Sequence, residues 1–225
     1  MNVWLSVPIW GVTAAAVCIG MARITNRKAM QQQEELQNAA ETSYRWNRTG
    51  ILLFLAVVAV SFCCGYITAG KTVSLTAWLT LICAYAAVLS AAVIDRKLQI
   101  IPNYIPLALL LFIGLILLYE GLFTDSGMLN LISSVLGCVL CWLGLMLAER
   151  LSSGGIGMGD VKLLAALGFA CGAYTVFLTL LLALLCCILV SVVLLLQKKV
   201  TWKAQLPFGP FILVGYWGMI FLTYV

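Results

Sequence analysis

Long apolar runs separated by short polar connections dominate this chain, near residues 3–21, 50–69, 74–94, 104–123, 128–148, 161–173, 174–196 and 208–225. A helix that crosses a bilayer needs roughly 20 such residues. The pattern therefore predicts an all-α, polytopic transmembrane bundle of about eight spans. One stretch departs from the rule, because 161–196 is too long for one span and short for two. A break near Gly172-Ala173-Tyr174 resolves it and leaves a short sixth helix. Such a helix is tolerable when it is packed inside protein and shielded from lipid, and the expectation places the active site there.

Composition fits this reading. Hydrophobic residues make up 64% of the 225 and charged residues only 9%, where an ordinary soluble domain has about a quarter charged. Basic residues concentrate on the cytoplasmic side of membrane proteins. With the N-terminus outside, Arg23, Arg27, Lys28, Arg45, Arg48, Arg96, Lys97, Arg150, Lys162, Lys198, Lys199 and Lys203 all fall inside, and only Lys71 falls outside. Glu120 and Asp125 then lie on the outer side, with both termini. Fusing the helices at 172–174 would spoil this partition by moving the 198–203 cluster outside. The first apolar stretch has no basic segment before it, so it reads as an uncleaved span and not as a signal peptide. The net charge of +5, gathered on one face, suits anionic lipid headgroups and not nucleic acid, since no aromatic-basic interleaving offers bases a stacking surface.

The nine cysteines all lie in predicted spans, and the chain has no histidine. Cys138 and Cys141 have a metal-like spacing, but on a lipid-embedded helix they read as small packing residues. No metal or cofactor is expected, and the odd cysteine count argues against a complete disulfide framework. The largest loop, 23–49, is rich in Gln, Glu, Ala and Arg, with Leu36, Ala40 and Tyr44 at four-residue spacing. It is expected as a cytoplasmic, partly helical extension of the first two spans. A glycosylation sequon at Asn47-Arg48-Thr49 falls on the same inner side and is discounted. Gly168 and Gly172 form a small-xxx-small pair, expected to serve close packing within the chain. No internal repeat or long linker divides the sequence, so residues 1–225 read as one domain.

Against this background two aspartates stand out. Asp95 closes the third predicted span, in Ile94-Asp95-Arg96-Lys97-Leu98-Gln99-Ile100-Ile101-Pro102-Asn103, and Asp160 opens the sixth, in Gly157-Met158-Gly159-Asp160-Val161-Lys162-Leu163. Ionisable residues inside membrane segments are functional candidates by default, and the charge partition puts both at similar depth on the same face. Paired carboxylates can hydrolyse a peptide when one is ionised, to deprotonate water, and the other protonated, to polarise the carbonyl. Like charges at close range share a proton and titrate as a unit. Gly157 and Gly159 are expected to permit positive φ and to let a substrate backbone approach Asp160. Pro102 is expected to restrict the chain entering the fourth span, and Asn103 to cap it. A purely structural counterpart remains open at this point, with Asp160 capping a helix that begins at Val161 and Asp95 pairing with Arg96, Lys97 or Lys162.

Several elements together resemble the type IV prepilin peptidase (leader peptidase) family of Gly-x-Gly-Asp membrane aspartyl proteases. An aspartate followed after five residues by Ile-Pro-Asn is matched at Asp95 and Ile101-Pro102-Asn103. Gly-x-Gly-Asp-x-Lys-Leu is matched from Gly157 to Leu163, and a late Pro-Phe-Gly-Pro-Phe from Pro207 to Phe211 is similar to the family's final span. The similarity covers roughly 75–225. It implies an endopeptidase with Asp95 and Asp160 as catalytic residues and Gly157, Gly159, Lys162, Pro102 and Asn103 in support. Its implied substrates are prepilins or pseudopilins, whose short basic leaders are cut at the cytoplasmic membrane face in type IV pilus assembly and protein secretion. Bifunctional relatives carry two Cys-x-x-Cys pairs in a cytoplasmic insertion and methylate the new N-terminus with S-adenosylmethionine. The loop 23–49 contains no cysteine, which implies a short, peptidase-only member.

Two other functions share part of this pattern. A presenilin or signal-peptide-peptidase type protease shares the Gly-x-Gly-Asp element, but here Ile94 precedes the first aspartate, Pro207 leads Phe-Gly-Pro, and Ile101-Pro102-Asn103 is left unexplained. A transporter or non-catalytic assembly subunit would use Asp95, Asp160 and Lys162 as a relay or ion pair. No predicted span carries an ionisable residue near its middle, where a transport path would need one.

Overall fold

The computed structural model describes residues 74–124, 127–152, 156–197 and 206–224, together with positions 12, 13, 16, 57 and 59. Apart from those five positions, the expected spans at 3–21 and 50–69, the loop 23–49 and the basic cluster at 198–203 lie outside the described residues. Among the described residues six helices have defined bounds, in order: α1 Leu75–Leu98, α2 Tyr104–Phe123, α3 Gly127–Leu151, α4 Met158–Cys171, α5 Ala173–Leu196 and α6 Gly209–Tyr224. The described residues form no strand. The chain is an all-α bundle, and α1, α2, α3 and α5 are long and apolar enough to cross a membrane.

Local signals account for the helix ends. Ser74 caps α1 by accepting the Ala77 N–H at 3.2 Å, which satisfies one of the four amides that every helix start leaves unpaired. The other end of α1 closes at Gln99, whose left-handed backbone (φ 53) lets its N–H reach the Asp95 carbonyl. Between α4 and α5 the break falls at Gly172, where φ is +82 and ψ 171, a conformation that costs a side-chain-bearing residue roughly 1–3 kcal/mol. The split expected near 172–174 is therefore present. The short helix begins earlier than expected, at Met158, because Gly157 and not Asp160 takes the N-cap position.

The two helices nearest the chemistry are also the most enclosed. Helix α4 has only 14 residues, and Val161, Leu163, Leu164, Ala165, Ala166, Leu167, Gly168 and Ala170 are all buried, packed against α1, α2, α3 and α5. In α1, 67% of the most apolar window is buried, against 11% in α5. The outer helices therefore turn their leucines outward and shield α4, which is how a helix too short to span can sit in the bundle. Close approach of α3 and α4 depends on Gly137 and Gly168. A Cβ on either would lie 2.5 Å from the other's carbonyl oxygen, so the small-residue pair expected on this helix serves packing within the chain, with Gly168 as its contact. Tyr216, fully buried in α6, donates its hydroxyl to the Leu81 carbonyl at 2.9 Å and fastens α6 to α1.

Candidate active site

Asp95 lies in the last turn of α1 and is only 6% exposed. A buried carboxylate must find donors, because desolvation otherwise makes its charge costly. Its Oδ2 accepts the backbone N–H of Gly209 at 2.7 Å, within the range of charge-assisted bonds. Gly209 is the first residue of α6, where backbone amides have no partner within the helix. A Cβ there would stand 2.9 Å from Asp95 Cβ and 3.0 Å from Oδ2, so the approach requires glycine.

Asp160 occupies the third position of α4. Its Oδ1 is buried without a hydrogen-bond partner among the described residues, so it does not act as a cap. It lies outside the four long apolar helices. Burial, and secondly the negative charge of Asp95, push its carboxyl from the ordinary 3.8 up to about 7. Although about 65 residues apart in sequence, the two aspartates line one cavity of about 830 Å³. Gln99, Gly157 and Phe208 line it beside them, and an apolar wall of α3 and α5 that includes Leu145, Phe177 and Leu184 extends it. Water can enter, two carboxylates face it, and apolar surface flanks them.

The supporting residues join the two aspartate segments to each other, in ways that partly differ from expectation. Asn103 stands at the N-cap position of α2, yet its backbone is helical (φ −61, ψ −22) and its side chain makes no capping bond. Its Oδ1 instead accepts from Lys162 Nζ at 2.9 Å. Pro102 lies half-buried just before α2, and its carbonyl receives the Ile105 N–H at 3.2 Å. Neither Gly157 (φ −68) nor Gly159 uses positive φ, since Gly172 is the positive-φ glycine of the described residues. Gly159 also leaves no room for a substrate. Its missing side chain admits Ile101, whose Cβ would be 2.8 Å from any Cβ at 159. Gly157 is different, for it lines the cavity and a Cβ there would sit 3.0 Å from Asp160 Oδ2. Gly209 is the site residue that reading the sequence missed. Its signal is the Pro207–Phe211 motif, which in sequence reads as the start of a span and gives no sign of contact with Asp95.

Comparison with known proteins covers the segments that carry both aspartates. Residues 82–192, which hold both aspartates, match the model of the Type IV leader peptidase family. A prepilin leader peptidase/N-methyltransferase of Escherichia coli K12 is 30% identical over 219 residues, covering 93% of this chain and 89% of that protein. The chain belongs to the type IV leader peptidase family. Proteins of the same description from Pseudomonas aeruginosa and Pseudomonas putida are 32% and 35% identical over 130 and 136 residues. Those matches cover 57% and 58% of this chain and 44% and 45% of the relatives, so the chain spans less than half the length of these two family members. No solved structure gives a significant match. Within the family region, the described residues contain no cluster of His, Cys, Asp or Glu able to hold a metal ion.

Proposed function

We propose that the chain is a membrane aspartyl endopeptidase that removes short basic leaders from prepilin or pseudopilin substrates at the cytoplasmic membrane face, with Asp95 and Asp160 as its catalytic pair. The observation that carries this reading is the convergence of two distant, enclosed carboxylates on one cavity. One carboxylate deprotonates a water for attack on the scissile carbonyl while the other protonates the carbonyl oxygen. The raised titration of Asp160, to about 7, keeps a proton on the pair near neutrality, as such a dyad needs. The apolar wall of the cavity suits the hydrophobic segment that follows a leader.

The proposal includes eight spans with both termini outside, drawn from the distribution of basic residues, and the cytoplasmic membrane as the site of action. It also includes peptidase activity without methyl transfer. The relatives carry a double name, prepilin leader peptidase/N-methyltransferase, but residues 23–49 here contain no cysteine from which to build the paired-cysteine insertion. So short a segment with few apolar residues buries too little surface to enclose a cofactor by itself.

The test is cleavage of a purified prepilin by the protein in nanodiscs, with labelled S-adenosylmethionine present. Leader release without label transfer is expected, together with a bell-shaped pH profile and indifference to chelators. Asp95→Asn and Asp160→Asn should each lower turnover by ~10³-fold or more while the protein stays folded. Near-normal turnover in either folded variant overturns the dyad, and methyl transfer to the new N-terminus overturns the peptidase-only reading.

A further inference from the structure

The two aspartates are not held alike. Asp95 Oδ2 receives a backbone N–H at 2.7 Å, whereas Asp160 Oδ1 is buried with no hydrogen-bond donor on it among the described residues. A carboxylate can only accept hydrogen bonds, so an N–H pointed at its oxygen favours the ionised form. The donor also sits at the start of α6, whose partial positive charge acts in the same direction. A protonated carboxyl, by contrast, carries its own hydrogen and needs no donor, as the setting of Asp160 requires.

We propose that the backbone amide of Gly209 is a positioning group that divides the work of the pair, holding Asp95 as the ionised base that activates water and leaving Asp160 as the acid that protonates the scissile carbonyl. This rests on the peptidase reading above and adds the assignment of roles. The surroundings agree. Among the described residues lining the cavity, the titratable side chains besides the two aspartates are Cys141 on α3 and Cys187 on α5. Lys162 is directed to Asn103, and Arg96 is exposed. No described lysine or arginine lines the cavity, and Asp95 Oδ2 is held by the Gly209 N–H. The titration of Asp160 near 7 has the same direction.

The cycle balances on this assignment. Asp95 takes a proton from water as the water oxygen bonds to the carbonyl carbon, and Asp160 gives its proton to the carbonyl oxygen. The result is a gem-diol beside a protonated Asp95 and an ionised Asp160. Asp160 then recovers a proton from one hydroxyl, and Asp95 passes its own to the amide nitrogen as the C–N bond breaks. The products are a carboxyl and an amine terminus, and the pair has returned to its starting state.

The direct experiment replaces Gly209 by glycolic acid in full-length protein made by cell-free translation into nanodiscs, which exchanges the N–H for an ester oxygen and adds no bulk. Prepilin turnover should fall ~10-fold or more, the acidic limb of the pH profile should rise by about one unit, equivalent to tenfold in the ionisation equilibrium, and KM should stay within about twofold. Gly209→Ala, whose Cβ would press on Asp95, should move the same limb. Gly215→Ala is the control on the same helix, because its Cβ would strike the Thr179 carbonyl at 2.4 Å. It should lower stability and leave the limb in place.

Infrared difference spectra supply a readout independent of turnover. At about pH 5.5 a protonated-carboxyl band should vanish in Asp160→Asn and persist in Asp95→Asn. An unmoved acidic limb with unchanged kcat in the ester variant overturns the role of Gly209, and loss of the band in Asp95→Asn overturns the assignment. A wild-type protein that cleaves no prepilin overturns the peptidase reading instead, and the spectra still decide which aspartate holds the proton.

Discussion

Lys162 spans the two aspartate segments, donating from Nζ to Asn103 Oδ1 at 2.9 Å across 59 positions of sequence. The bond ties the first turn of α4, which carries Asp160, to the entry of α2, which fixes the loop after Asp95. Its ammonium is thus engaged by a neutral amide, while Asp160 Oδ1 has no partner among the described residues. A lysine bonded to that oxygen would hold the carboxyl ionised and remove the proton the pair needs.

Because this bond is exposed, its energetic worth is modest, ~1 kcal/mol or less. Lys162→Ala and Asn103→Ala should each reduce kcat by ~3–10-fold, with the double variant no worse than the more severe single one. Kinetics of the four proteins on one prepilin check this. Fully additive losses would show that the two residues act apart.

A harder constraint is the contact of Ile101 with Gly159. The nearest neighbours of a Cβ at 159 are Ile101 Cβ at 2.8 Å and its carbonyl oxygen at 3.2 Å, and neither can rotate away. Gly159→Ala should cost ~1–3 kcal/mol through overpacking and should separate the aspartate segments, lowering turnover by ~10-fold or more. Gly157→Ala meets only the movable Asp160 Oδ2, at 3.0 Å, so thermal stability should change little while activity falls. Thermal unfolding in detergent, paired with turnover, separates the two outcomes.

These contacts show what the chain disclosed in one dimension. Apolar runs placed α2 at 104–123 and the break at Gly172 because helix length in a bilayer is set by residue count and positive φ selects glycine. The motif residues at 95, 157–163 and 101–103 pointed to the candidate site, where Asp95 and Asp160 line one cavity, because chemistry constrains residue type. What the sequence did not disclose was pairing across space. Asn103 looked like a cap because asparagine before a helix commonly is one, yet a lysine 59 positions away claims its side chain. Gly159 looked like room for substrate, yet Ile101 fills that space. Gly209 lay within a recognised motif, but its role is borne by a backbone N–H, which every residue except proline possesses and no motif displays.

The enclosed carboxyl of Asp160 has a consequence for stability. Its folded-state value of about 7 lies above the ordinary 3.8, so between those values the folded protein retains a proton that the unfolded chain has released. Stability must then fall as pH rises through about 4 to 7 and level off above. Asp160→Asn removes this dependence. The variant's advantage in melting temperature should be smallest near pH 4, grow through neutrality and reach a few degrees by pH 8, the scale of ~1–2 kcal/mol. Melting curves at three pH values test it. An advantage that does not vary with pH would mean that Asp160 is not the group titrating there.

The break at Gly172 gives the last prediction, on membrane topology. Basic residues fall twelve to one on the side assigned to the cytoplasm only if α4 and α5 cross separately, since a continuous 161–196 would carry Lys198, Lys199 and Lys203 to the other face. Helix α4 is too short to span by itself, at 14 residues against roughly 20, so a crossing there requires its burial among α1, α2, α3 and α5. Single cysteines at Lys198 and Gln32 in a cysteine-free background should be labelled only from the cytoplasmic side, and one at Thr124 only from outside. Gly172→Val should strain the φ of +82 and press on Ser133 Oγ, 3.0 Å from a Cβ there, costing ~1–3 kcal/mol. Labelling of position 198 from outside in the parent background would show that 161–196 crosses once, and would carry Gly209 to the face opposite Asp95, whose Oδ2 accepts the Gly209 N–H at 2.7 Å.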